Sequence, residues 1–148
     1  MNLRSLLIPL AFAAAPAMSR AEPFAIACDG EEVVKSMPPA APETTTAKGR
    51  EIFVIDSEEN TISIWNTDLQ AATNFCRFLD AGDCKIDIGS KYMSILKTKN
   101  YSVFDPTLFA DREAGTIIYH IDRNVDKYFR GICKKIATPV ADISKNKF

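Results

Sequence analysis

Between residues 50 and 136 the apolar side chains come in short alternating runs, separated by polar or glycine-bearing breaks. REIFVID, 50–56, gives way to the polar SEEN and then to TISIWN, 61–66. In the second run Ile62 and Ile64 point one way and Thr61, Ser63 and Trp65 the other, which predicts a β-hairpin. CKIDI and KYMSILK are further β runs on either side of Gly89-Ser90. VFDPTLFA and TIIYHID flank Asp111-Arg112-Glu113-Ala114-Gly115, a turn with glycine at its end. Pro106 has no amide hydrogen to give to a ladder, so its strand is expected at an edge or a bulge. In TIIYHID the bulky Ile117, Tyr119 and Ile121 mark the core face, leaving Thr116, Ile118, His120 and Asp122 on the wetter one. KYFRGICKKI, 127–136, is the last strand, and the Asp-Gly inside FAIACDGEEVV, 24–34, is a hairpin signal.

One segment breaks the period of two. Asp68 is placed to cap a helix over 69–79, in which Leu69, Ala72, Cys76 and Leu79 fall at helical spacing and line one face. Asp80-Ala81-Gly82 would end it and reverse the chain. MPPAAPETTTAKG, 37–49, carries three prolines and three threonines and no large aliphatic residue, and reads as an exposed, mobile loop. The expected fold is mainly β (α+β): seven or eight short strands in an antiparallel meander that closes as a small barrel or sandwich, with one helix near 69–79. The strands are too short, and too often interrupted by lysine and aspartate, for an outer-membrane barrel.

The N-terminal residues change where this fold is expected to work. MNLRSLLIPLAFAAAPAMSRA has a positive start at Arg4, an uncharged apolar run from Leu6 to Met18, and small residues Ser19 and Ala21 before a cut. That is the layout of a secretory signal peptide spanning 1–21. The run is shorter than the roughly 20 residues of a membrane span, and Pro9 and Pro16 interrupt it. A lipoprotein reading of Ala25-Ile26-Ala27-Cys28 is disfavoured, because Arg20 and Glu22 separate Cys28 from the apolar run and lipidation would leave three other cysteines. Cleavage removes Arg4 and Arg20 from the 18 basic residues, leaving 16 against 19 acidic ones, a net of −3. The expected organisation is one domain over 22–136 and a polar tail over 137–148, periplasmic or secreted, with no transmembrane segment after cleavage. Mildly acidic and mixed in sign, the chain has no electrostatic footprint for nucleic acid, and Lys134 and Lys135 are two solvated lysines.

Export gives the four cysteines, Cys28, Cys76, Cys84 and Cys133, an oxidising setting. Three pairings exist. Cys76–Cys84 with Cys28–Cys133 is favoured: one closes a short loop and the other ties together the two ends of the domain. In the chain-entropy description the two contribute about 2.6 and about 4.7 kcal/mol. A zinc site is disfavoured by seven residues between the nearest pair and a single histidine in the chain, and no Cys-x-x-Cys is present for redox work.

Cys28-Asp29-Gly30, the FVID strand with Trp65 downstream, the mid-chain cysteine pair, Asp111-Arg112 with Gly115, and Gly131-Ile132-Cys133 form a set. In these motifs the chain resembles small exported, cysteine-containing bacterial proteins of unknown function, over residues 24–136. The resemblance implies a cysteine-stapled periplasmic fold and carries over no catalytic residue.

Candidate chemistry is sparse. His120 is the only histidine, and no Gly-x-Ser-x-Gly context accompanies it. Asp56, Glu58 and Glu59, and Asp80, Asp83 and Asp87, are acids of turns, without the spacing of a calcium loop. Tyr92, Tyr101 and Tyr128 read first as core or cross-strand partners. Trp65, opposite Ile62 and Ile64, and His120 on its wetter face are the candidates for a ligand surface. No catalytic residue, metal ligand or cofactor is assigned. The expectation is a non-enzymatic binding or inhibitor-like module for a protein or cell-envelope partner, contacting it through its loop and hairpin tips. A small hydrolase with carboxylates in a barrel mouth and a structural envelope protein are the alternatives.

Overall fold

The computed structural model describes residues 21–36, 43–79, 84–97, 107–122 and 126–140. The signal-peptide segment, the helix stop at 80–82, Tyr101, Pro106 and the end of the tail lie outside the described residues.

Among the described residues nine strands form one curled half-barrel sheet: β1 (Phe24–Lys35), β2 (Thr44–Asp56), β3 (Thr61–Asn66), β4 (Ala71–Asn74), β5 (Cys84–Ile88), β6 (Tyr92–Lys97), β7 (Leu108–Asp111), β8 (Thr116–Asp122) and β9 (Asp126–Ile136). Their order is β4-β3-β2-β1-β9-β8-β7-β6-β5, and every ladder is antiparallel. The chain is therefore a meander, as expected, whose first and last strands pair along nearly their whole length.

Three of its turns use one device. Asp56, Asn66 and Asp111 each end a strand, and the Oδ1 of each accepts backbone N–H groups from two or three residues on. Four residues after each, Asn60, Gln70 and Gly115 take positive φ and return the chain to the sheet. Short Asx side chains favour this local pairing over continuation of a strand. At Asn66 it overturns the expected helix. The Asn66 side chain holds the Leu69 amide at 2.8 Å, and Ala71–Asn74 then pair back onto β3. Only a single 3-10 turn follows, Phe75–Phe78, started by Asn74 Oδ1 accepting from Cys76 N. Leu69, assigned to the buried side of that helix, is 72% exposed.

Other expectations also need correction. Asp29-Gly30 makes no hairpin: β1 runs straight through it and pairs with β2 and β9. The segment 44–49 is exposed but belongs to β2, held by backbone bonds to β1. β7 starts after Pro106 and lies between β6 and β8, away from any edge.

The inner face carries the core. Phe53, Phe75, Tyr119 and Phe129 pack ring against ring, with centroids 5.4–6.0 Å apart where they meet, among Ile55, Ile62, Ile95, Leu108 and Ile117. A row of three glycines, Gly49, Gly30 and Gly131, directly opposite one another on β2, β1 and β9, leaves room beneath the Phe129 ring. A Cβ on Gly131 would stand 2.8 Å from that ring, and one on Gly30 would stand 2.1 Å from the Arg130 carbonyl oxygen.

Two disulfides fix the curl. Cys28–Cys133 joins directly opposed residues of β1 and β9, and Cys76–Cys84 joins the 3-10 turn after β4 to the start of β5. The second therefore links the two outermost regions of the sheet. Asn60 adds a hydrogen bond across the same gap, from its Nδ2 to the Ile86 carbonyl at 3.1 Å.

Candidate functional site

Three places on this scaffold have the chemistry of a site; the second and third share Thr116 in their walls.

The first lies on the inner face. Glu51 of β2, Glu32 of β1 and Lys127 of β9 converge beside Tyr119. Lys127 Nζ donates to Glu51 Oε1 at 2.8 Å and to Glu32 Oε2 at 3.0 Å, and the Tyr119 hydroxyl donates to Glu51 Oε1 at 3.0 Å. All three charged side chains are less than a third exposed. Burial alone would lower the Lys127 pKa, but the hydrogen bonds to Glu51 and then Glu32 more than reverse it and hold the ammonium above its ordinary range. Burial, then the Glu51 charge and hydrogen bond, push the Tyr119 phenol far above its usual value. Both glutamates are engaged by the same ammonium, and aromatic rings fill the space below them. This arrangement caps the core electrostatically, since a partly buried charge must be paired to be tolerated.

The second is the outer face of β6 to β9. Tyr92 and Phe109 stack with centroids 5.5 Å apart. Phe109 is directly opposite Ile118, and Ile118 is opposite Arg130, which Tyr128 and Ile132 flank on β9. All five apolar or aromatic side chains are exposed, Ile132 at 65%. The patch runs into a groove of about 1030 Å³ over β2, β1 and β9, whose walls include Val33, Lys48, Tyr128 and Ile132, with Glu31 and Arg130 facing each other across the β1–β9 ladder.

His120 borders this face. Its Nε2 lies 2.6 Å from Asp126 Oδ1, and Lys35 Nζ approaches the other carboxylate oxygen at 3.7 Å. No hydroxyl among the described residues bonds to His120, so the pair has histidine and carboxylate without a nucleophile. Trp65 is half-buried on the face opposite Ile62, opposite Ala72, with β2, β1 and β9 between its strand and that of His120. The two residues singled out from the sequence are thus not brought together. Phe109 and Ile132 were missed as surface residues. Alternation placed Ile118 on the wetter face, but its junction with Phe109 depends on strand register.

The third place is a smaller cavity of about 190 Å³ at the end of the curl where β1 begins and β9 ends.

Among the described residues no three of His, Cys, Asp and Glu gather as a metal site, and no helix is long and apolar enough to cross a membrane. No family model matches the chain, and neither does any curated protein or solved structure. The function is therefore argued from the geometry.

Proposed function

We propose that this protein is an exported binding module, without catalytic activity, that engages a protein partner of the cell envelope through the outer face of β6 to β9. The observation that carries this reading is the continuity of Tyr92, Phe109, Ile118, Tyr128 and Ile132 into the outer groove. Exposed apolar side chains cost free energy in water, and monomeric proteins rarely gather them in one place without a contact to make. Tyrosine and arginine in the patch suit a protein interface, where amphipathic and planar side chains contribute most. The N-terminal export pattern and the two disulfides fit an oxidising compartment outside the cytoplasm.

The test is site-specific photocrosslinking in intact cells of the natural host. A photoreactive phenylalanine replaces Ile132 on the patch or Leu69 on the β3–β4 turn, both highly exposed. A discrete protein adduct is expected from position 132 and not from 69, and Ile118→Glu should abolish it. Equal labelling from both positions, or an adduct indifferent to Ile118→Glu, contradicts the proposal.

A further inference from the structure

We infer that the cavity at the end of the curl is a binding site for a small carboxylic acid with an apolar tail of medium length. The inference does not depend on the outer face. The cavity is walled by Phe24, Ile26, Met93 and Ala110, which supply an apolar lining, and Arg112 and Lys135 also line it. Its volume of about 190 Å³ holds roughly six groups of the size of a water molecule, at about 30 Å³ each. That suits a tail of medium length and excludes a long lipid chain.

The charge in the lining identifies the head group. The Arg112 guanidinium lies 5.5 Å from the centre of the Phe24 ring, and Lys135 Nζ lies 5.6 Å from the same ring. Both cations therefore approach the same ring, each held by the negative face of the π-system, and both line the cavity. Among the described residues neither cation forms an ion pair with a carboxylate. Arg112 gives one N–H to the Gly89 carbonyl at 2.7 Å, which orients the guanidinium and leaves its other donors available. One carboxylate does line the cavity, that of Asp111, but its Oδ1 accepts the Glu113 and Ala114 amides of the β7–β8 turn. Glu113 pairs with Lys91 at 3.4 Å. Two cations that make no ion pair among the described residues, against the single carboxylate of Asp111, leave the polar part of the lining net positive, which is complementary to one anionic head on one apolar body. A carboxylate accepts hydrogen bonds from both cations, and the tail displaces water from the apolar walls.

Calorimetric titration of the oxidised, mature-length protein with octanoate and with octanol tests this. Octanoate should bind saturably with one site, and the neutral alcohol about tenfold more weakly, the ratio expected for loss of a charge-assisted contact. Lys135→Gln, at an exposed position, should weaken octanoate by a similar factor while leaving octanol unchanged. Ala110→Leu, which fills the cavity from its wall, should abolish binding of both, with an unchanged melting profile as the control for folding. Absence of saturable octanoate binding overturns the inference. So does equal affinity for acid and alcohol, or indifference to Lys135→Gln.

Discussion

Lys127 shows how one side chain can cap a barrel. From β9 its ammonium serves Glu51 of β2 and Glu32 of β1, with Tyr119 completing the Glu51 shell. Lys127 and Tyr119 both hold their protons more tightly in the folded chain than an unfolded chain would. Their contribution to stability is therefore complete below the unfolded values of about 10, and drains away as the pH climbs past them. The melting temperature should fall progressively above about pH 10. Tyr119→Phe should lower stability at neutral pH by about 1 kcal/mol, the worth of one hydrogen bond, and should flatten that alkaline decline. Thermal melts from pH 7 to 11 on both proteins check this, and parallel curves would show that Tyr119 is not linked to folding.

At the scale of elements, alternation along the chain identified most strands, and it placed Ile117, Tyr119 and Ile121 on the core side, where they are buried. Two elements were hidden for different reasons. The Leu69, Ala72, Cys76 and Leu79 spacing looks helical, but the Asn66 side chain captures the Leu69 amide first, and a left-handed Gln70 turns the chain into β4. Residues 44–49 bury little, so a hydrophobic pattern cannot register them, and their strand exists through backbone pairing with β1. The outer patch was half legible: Tyr92 and Tyr128 stood out as aromatics, whereas their adjacency to Phe109, Ile118 and Ile132 is set by register across four strands. Gly30 was read as a turn signal and Gly49 as the end of a loop, and only Gly131 was placed in a strand, although all three work inside the sheet. Gly30→Ala should disrupt the β1–β9 ladder, because its methyl group meets the Arg130 carbonyl at 2.1 Å, whereas Gly49→Ala has at least 3.5 Å of clearance. A loss of about 2–3 kcal/mol or more at Gly30, against less than about 1 kcal/mol at Gly49, is expected from denaturant unfolding. Equal costs at the two positions would mean that the strands part easily.

At the scale of the whole molecule, strand parity explains why the curl needs sulfur. Nine strands joined only by antiparallel ladders leave the outermost two, β4 and β5, running in the same direction. A tight antiparallel hairpin joins only strands that run in opposite directions, so the connection from β4 to β5 is not one. Cys76–Cys84 ties that connection down, while Cys28–Cys133 locks the ladder on which both halves of the meander depend. The outer face and the cavity, whose walls are drawn from β1, β6, β7 and β9, exist only while the halves stay joined. The most direct test is peptide mapping by mass spectrometry, without reduction, of the protein purified from its natural host. Cys28 should be recovered linked to Cys133 and Cys76 linked to Cys84, with no alkylatable thiol; a different pairing, or a reduced cysteine in the native protein, would contradict the account.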